Sequence, residues 1–348
     1  MTTTPIVTIN LVVLNGEKYL RRCLNSIKNQ TYSNLEINIF DNGSTDKTRE
    51  IIKKEFPEFN LIEAKKNYGM WGGQEKALEH SHGKYIMALS VDVLLDSKVM
   101  EKAVSVMEKD EGIGALQAKI YQYNLSELET RNSKLETNKI IDTIGFRVER
   151  SRRITNIGHG EEDKGQYDTP DGEEKEIFGV EGAAPMFRKE AFEDCRVLGD
   201  IVDHDMWWYG DDIDLVWRMK LFGWKQVYSS KVVMYHDRST TKSMSRDWKD
   251  YLKRIGDRKK ISSLKKRLDW RNKRLARLKN DYWQNVFHDF LHILKREIQE
   301  LVYIILFEPS VLLEIPKLIR LVPKTLTKRK EIMSKVKVVP TEMQKWFT

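Results

Sequence analysis

The sequence has little cysteine and no long hydrophobic run, and each scarcity excludes something. Two cysteines, Cys23 and Cys195, stand far apart in 348 residues. They make no disulfide framework and have no metal-ligand spacing, so they read as buried, reduced thiols of a cytosolic protein. The longest apolar run, "LVYIILF", has seven residues, against the ~20 that a spanning helix needs. The chain is expected to lie on a membrane, not to cross one. The opening "MTTTPIVTINLVVLNG" lacks a positive leading segment and a small-residue cleavage site, so it reads as a first strand rather than a signal peptide. No repeat with a period of about 20–50 residues is visible, which argues against a solenoid.

Charge is plentiful but uneven. Hydrophobic residues make up 40% of the chain and charged residues 32%, enough for a core under a heavily solvated surface. The formal charge is +8, yet residues 242–348 carry net +15 and the remainder net −7. An acidic body with a basic tail points to an anionic contact for the tail, either lipid or nucleic acid. The length suits two domains, or one large domain with an extension.

Strand and helix patterns alternate through the first third. Strands are expected at 6–14, 35–40, 59–63, 85–90 and 113–118, with helices at 17–28, 46–55, 73–80 and 97–108. Such βα units predict a mostly parallel, doubly wound sheet with helices on both faces. Residues 121–176 are polar and weakly periodic, as in a functional or disordered loop. A helix is expected at 211–222, closed by Gly223, followed by two short strands at 226–228 and 232–235. After Lys242 the character changes. A basic stretch leads into a helical pattern with Trp283, Phe287, Phe290, Leu291, Leu294, Ile298, Leu301, Val302 and Ile305 on one apolar stripe. A helix of that kind is expected to lie in a membrane interface, apolar face down; the alternative is that the stripe packs on the body of the protein.

Five motifs carry candidate chemistry. In "KYIMALSVDV" a buried-type strand ends on Asp92, where α/β sheets bind ligands. Asp92 could equally cap the next helix. In "IFDNGSTDKT" a strand ends on Asp41, which could accept a hydrogen bond from a pyrimidine base or simply form an Asx turn before a helix capped by Ser44 or Thr45. In "KKNYGMWGGQEKAL", Gly69, Gly72 and Gly73 allow close approach of backbone to a ligand. In "DHDMWWYGDDIDLVWRMKLFGW", Asp211 and Asp212 open an apolar-faced helix beside Trp207 and Trp208. Acids there can merely offset the helix dipole, or supply a general base next to a sugar whose apolar face packs on the tryptophans. In "VVMYHDRS", His236 ends a strand; a lone histidine there can also be an ordinary, hydrogen-bonded polar residue.

The order of these motifs is more specific than any one of them. The stretches "TINLVVLNGEKYLRRCLNSIKNQTYSNLEINIFDNGSTDKT", "KKNYGMWGGQEKAL", "ALSVDV", "GEEDKGQYD", "VEGAAPMFRKEAFE", "YGDDIDLVWRMKLFGW" and "VVMYHDRS" run in order from residue 6 to about 240. Together they resemble the inverting nucleotide-sugar glycosyltransferases of family 2, which have a GT-A fold, and most closely the bacterial rhamnosyltransferase-type enzymes. The tail, with "RNKRLARLKND", resembles that subgroup's C-terminal extension. The resemblance implies a GT-A catalytic domain over 1–241, divided into a nucleotide-binding half at 1–119 and an acceptor half at 120–241. A helical, membrane-associating extension at 242–348 would follow.

By position, the resemblance implies that Asp41 contacts a pyrimidine, and that Asn15, Asn67 and Gly69 shape the nucleotide pocket. Asp92 would reach the donor diphosphate and a metal, with His236 in the metal shell. Asp212, paired with Asp211, would be the base, and Trp207, Trp208 and Gly182 would meet sugar and acceptor. The usual two-carboxylate metal motif is here Ser90-Val91-Asp92, with one charged ligand fewer. The implied cofactor is Mg²⁺ or Mn²⁺. The implied partners are a dTDP- or UDP-sugar donor, a glycan or lipid-linked acceptor, and an anionic surface at the inner face of the membrane. Two rival readings follow from the same residues: a non-catalytic sugar-nucleotide binder, suggested by Ser90, and a nucleic-acid binder acting through the tail. Against the second, the tail's aromatics lie on the apolar stripe instead of interleaving with basic residues as stacking platforms do.

Overall fold

The computed structural model describes residues 4–131, 139–169, 173–237, 258 and 261–348. Its centre is a ten-stranded mixed sheet. Strands β1 (Val7–Val13), β2 (Leu35–Asp41), β3 (Asn60–Glu63) and β4 (Tyr85–Ser90) run parallel in the order β4-β1-β2-β3. Their crossovers are α1 (Glu17–Lys28), α2 (Thr48–Glu55) and α3 (Met70–Leu78). Leu20, Cys23, Leu24 and Ile27 of α1 recur at helical spacing and are buried. β1 and β4 are buried almost throughout, as strands covered on both faces must be.

After Ser90 the chain does not enter a helix directly. It forms a short strand β5 (Val93–Leu95) and only then α4 (Val99–Met107), so Asp92 is not a helix cap. β6 (Ile113–Gln122) follows, four residues longer than its expected end at 118. The stretch 121–176 is more ordered than its composition suggests. It contains α5 (Leu125–Arg131), β7 (Ile141–Thr143), β8 (Phe146–Val148), β9 (Ile154–Asn156) and β10 (Lys175–Glu176). β7 pairs with β6, and β8 pairs with β9. β11 (Met186–Arg188) lies antiparallel between β4 and β6, and α6 (Lys189–Asp194) leads away from it.

α7 (Asp211–Leu221) ends at Gly223, whose φ of +87° is the left-handed closure expected from the sequence. The two short strands expected next are one strand, β12 (Lys225–His236), whose register with β6 slips between Ser229 and Val233. That irregularity interrupts the alternation and divides the sequence pattern.

From Ser263 onward the chain forms α8 (Ser263–Asn280), α9 (Trp283–His288), α10 (Phe290–Phe307), a 3₁₀ turn (Pro309–Glu314), α11 (Ile315–Lys335) and α12 (Pro340–Gln344). Among the described residues no helix is long and apolar enough to cross a membrane. Two apolar cores flank the sheet. The second contains Trp217 and Phe178 together with Leu275, Ala276, Tyr282, Ile332, Met343 and Phe347, so the extension shares its core with the preceding half. Buried ion pairs join them too. Arg152 bridges Asp281 at 2.7 Å and Asp289 at 2.6 Å, with its guanidinium 3.8 Å from the Phe347 ring centre. Cys23 and Cys195 are free, buried thiols, and burial raises the pKa of both.

Candidate active site

The residues singled out in the sequence gather along the carboxyl edge of the sheet. Asp92 follows the end of β4. His236 ends β12, which pairs with β5 so that His236 stands opposite Val93. The His236 Nε2 lies 3.4 Å from Asp92 Oδ2, and its Nδ1 lies 2.8 Å from Asp142 Oδ2 on β7. The Ser90 hydroxyl donates to Asp92 Oδ1 at 2.5 Å. Burial alone would lower the His236 pKa, but the two carboxylates outweigh it and lift the imidazole to about 10. Burial alone would raise Asp92; His236 and Ser90 outweigh it and hold the carboxyl below the usual range.

This arrangement fits a hard divalent cation. Asp142 orients the ring from behind, the role an outer carboxylate plays for a histidine ligand, and it leaves Nε2 facing the Asp92 carboxylate. Asp142 itself is fully buried and also faces the His159 ring, with Oδ1 3.3 Å from His159 Nδ1. A second cluster, Glu75, Asp200 and His204, could also reach one cation. There Glu75 is already engaged by His204 at 2.8 Å and by the Ile201 N–H at 2.5 Å, with Arg196 at 4.0 Å. It reads as an ion pair that ties residues 201–204 to α3.

The acidic pair lies at the start of α7, behind Gly210 with φ +79°. Among the described residues, no cation within salt-bridge distance pairs with Asp211 or Asp212. Asp214, one turn on, is paired with Arg218 at 2.9 Å and Lys279 at 2.8 Å and accepts a hydrogen bond from Asn280 Nδ2 at 2.7 Å. Burial, then repulsion by Asp212, lifts the Asp211 pKa to about 8. Burial, then repulsion by Glu181, lifts Asp212 to about 6. Both carboxyls are therefore harder to ionise than an exposed aspartate, and the crowded pair resists carrying two charges. Asp212 is also the more exposed of the two.

Gly182 makes room for it: a Cβ there would lie 3.1 Å from Asp212 Oδ2 and 3.4 Å from the Trp71 Nε1. The next residue, Ala183, accepts from the Ser90 N–H at 2.9 Å. The loop 181–183 thus links the Asp92 strand to the Asp212 helix.

Trp207 and Trp208 pack edge to face, with ring centres 6.1 Å apart, and Trp207 is 39% exposed. Trp207 and Tyr209 both have φ near +61°, a region costly for large side chains. The restraint comes from α8. Asn272 donates to the carbonyls of Met206, Trp208 and Tyr209 at 2.7–2.9 Å, and Arg271 donates to the Asp205 carbonyl at 3.2 Å. On its other side the loop meets Gly69, where φ is +80° and a Cβ would lie 2.1 Å from the Trp207 carbonyl oxygen. Replacing Asn272 with alanine is expected to take a shared donor away from three carbonyls and let the strained loop relax. A shift of about 1 Å in such a position typically costs ~10²-fold. Steady-state kinetics should place that loss mainly in kcat, with near-normal donor binding in a separate titration.

The pocket-shaping residues are laced together. Asn15 has φ +51°, and its side-chain oxygen accepts from the Thr45 N–H at 2.8 Å. Asn67 Oδ1 accepts from the Gly69 N–H at 2.8 Å and from Asn42 Nδ2 at 3.1 Å. Asp41 departs from a free base-contacting carboxylate. It is fully buried; one oxygen accepts from the Ser44 N–H at 3.2 Å and the other pairs with Arg49. This is the Asx-turn alternative, and α2 begins only at Thr48, with Lys47 rather than Ser44 or Thr45 in the cap position. Asn42, Asp142, Arg271 and Asn272 were not singled out from the sequence. Asn42 sits inside the "FDNGS" motif, and Arg271 and Asn272 open the "RNKRLARLKND" stretch, so these three could have been found there; Asp142 carries no periodic or motif signal.

The sequence profile described as "Glycosyl transferase family 2" matches residues 8–196. An uncharacterized glycosyltransferase of Haemophilus influenzae is 34% identical over 33% of this chain and 37% of its own length. Chondroitin synthase of Escherichia coli is 34% identical over 30% of this chain and 16% of its own length. The chain thus spans well under half of these relatives. In overall structure it is similar to the mannosyltransferase PcManGT of Pyrobaculum calidifontis, in complex with GDP-Man and Mn²⁺. That match has a TM-score of 0.50 and 16% identity, covering 96% of this chain and 86% of that one. It is also similar to S. aureus TarS 1–349 in complex with UDP, with a TM-score of 0.52 and 13% identity, covering 98% and 90%. At these identities the likeness concerns the fold, which is GT-A.

Proposed function

The chain belongs to glycosyl transferase family 2, and on that premise we propose that it moves a sugar from a nucleoside diphosphate donor to a hydroxyl of a glycan or lipid-linked acceptor, with inversion at the anomeric carbon. The observation that carries this reading is the pairing of two unlike sites on one sheet edge. Asp92, His236 and Asp142 form a cation-type site at the end of β4. Asp212 is a pKa-raised carboxylate with no salt-bridge partner among the described residues, four residues after Trp208 at the head of α7.

In the proposed reaction Asp212 accepts the proton of the acceptor hydroxyl. The oxygen attacks the anomeric carbon as the bond to the diphosphate oxygen breaks, so one displacement inverts the centre. Trp207 and Trp208 offer apolar faces to the sugars, and Gly182 leaves room for the acceptor next to the base. Asn15, Asn67 and Gly69 shape the nucleotide pocket. Asp92 and His236 would hold Mg²⁺ or Mn²⁺, which when bound supplies positive charge against the diphosphate. A nitrogen ligand favours Mn²⁺. The donor is a dTDP- or UDP-sugar, with dTDP-rhamnose the first to test, since the motif order resembles the rhamnosyltransferase-type branch. The product is a cell-surface polysaccharide or its precursor, and the enzyme works peripherally on the inner face of the membrane.

The test is a panel of nucleotide sugars with Mn²⁺, read by thermal shift and by release of nucleoside diphosphate. One donor is expected to raise the melting temperature and to be slowly hydrolysed. A chain that binds a donor but never releases diphosphate, with any acceptor, would be a binding protein instead.

A further inference from the structure

Helix α10 is packed inside out. Its carboxylates face the protein: Glu297 meets Arg274 at 2.5 Å and Arg277 at 2.8 Å, and Glu300 meets Arg274 at 3.2 Å, all on α8. Ile293 and Ile304 are buried, but its other aliphatic side chains face outward. Leu291 is 75% exposed and Leu306 66%, and Ile298, Leu301, Val302 and Ile305 are exposed with them. The band continues through Leu313 of the 3₁₀ turn and Ile319 of α11, each 65% exposed. An apolar surface of that extent is unusual on a protein that meets only water.

The charges around it are sorted. Residues 290–330 contain four carboxylates, Glu297, Glu300, Glu308 and Glu314. The last two are likewise turned inward, Glu308 to Arg258 at 2.7 Å and Glu314 to Arg267 at 2.7 Å and Arg271 at 2.9 Å. Lys295, Lys317, Arg320 and Lys330 are exposed on the same helices. The outward surface therefore combines aliphatic side chains with positive charge alone. A second copy of the chain would set lysine against lysine there, whereas an anionic lipid surface matches both features.

We propose that the outer face of α10, the 3₁₀ turn and α11 as far as Lys330 docks on an anionic lipid surface. The aliphatic band lies at the boundary between headgroups and acyl chains, and Lys295, Lys317, Arg320 and Lys330 meet lipid phosphates. The inference rests on the reading that the acceptor is held at a membrane, and it names the surface that meets it. α8 then lies between the lipid and the catalytic loop. Arg274 and Arg277 hold α10, while Arg271 and Asn272 hold residues 205–209. Docking thus fixes the orientation of the loop that carries Trp207 and Trp208.

The test is co-sedimentation of the full chain with vesicles, without donor or acceptor. Vesicles of phosphatidylcholine with phosphatidylglycerol are compared with phosphatidylcholine alone. Binding is expected to require the anionic lipid and to weaken as salt rises. Two variants, Leu291→Glu with Leu306→Glu, and Lys317→Glu with Arg320→Glu, change only exposed side chains. Each is expected to lower binding on the order of tenfold or more, while the melting temperature and donor hydrolysis in detergent solution stay as in the wild type. Wild-type chain that ignores anionic vesicles at low salt, or variants that bind as the wild type does, would overturn the proposal. So would a dimer in solution that the Leu291 and Leu306 changes dissociate, since the face would then be covered by a second copy. Vesicle binding without donor hydrolysis by the wild type would leave the docking surface standing and count against the proposed transferase reaction.

Discussion

Asp212→Asn is expected to reduce turnover about 10²–10⁴-fold, the usual contribution of a general base, while donor binding stays nearly unchanged. Asparagine keeps the shape and the hydrogen bond from the Ile213 N–H, seen here at 2.8 Å, but cannot take a proton. The pH profile carries a second signature. An ordinary aspartate titrates near ~3.9, whereas Asp212 is lifted to about 6 by burial and by Glu181. The base must be ionised to act, and its ionised fraction falls as pH drops through that value. Transfer is therefore expected to fall on the acid side of about pH 6 and to level off above it. Because burial and Glu181, not Asp211, are what lift Asp212, Asp211→Asn should keep that acid limb in place and retain much more activity. If Asp212→Asn transfers at close to the wild-type rate, or if Asp211→Asn is the inactive variant, the two roles are exchanged or absent.

The second large effect concerns the cation site. Calorimetry with Mn²⁺ and a nucleoside diphosphate is expected to show binding that Asp92→Ala abolishes and His236→Ala weakens. Asp142→Asn touches no proposed ligand atom except through the His236 ring, yet it should cost about 10–100-fold in affinity, as loss of an outer partner does. His236 is held as an imidazolium by Asp142 and Asp92, with its pKa raised to about 10. A cation at Nε2 has to replace a proton, so binding should release protons and tighten as pH rises toward that value. Repeating the titration in buffers of different ionisation enthalpy measures that release. Undiminished transfer in excess chelator would remove the metal role from all three residues. Ser90 in place of a second carboxylate makes Asp92 the main charged ligand, which is why its removal should be the most severe.

Much of the fold was readable because hydrophobic period tracks burial. β1 and β4 are apolar-rich and buried, as strands covered on both faces require, and α1 follows its Leu20–Leu24–Ile27 spacing closely. Asp92, Asp211, Asp212 and His236 were readable for a related reason: each is a polar residue at the end of an apolar element. What was not readable depends on tertiary partners. Asp142 lies in a weakly periodic stretch that becomes a strand only by pairing with β6. Arg271 and Asn272 sit in a run of basic residues that looks like a solvated helix face, yet both are buried because three loop carbonyls and Glu314 need donors. The stripe on α10 was visible as a stripe. Which way it faces was not, since the ion pairs to α8 decide that.

The most direct test of the central reading is the anomeric configuration of the transferred sugar, read by NMR of the purified product against the donor. Inversion is the expected result, with Asp212→Asn forming almost no product under the same conditions. Retention of configuration, or equal product from the Asp212→Asn variant, would contradict a single displacement driven by that carboxylate.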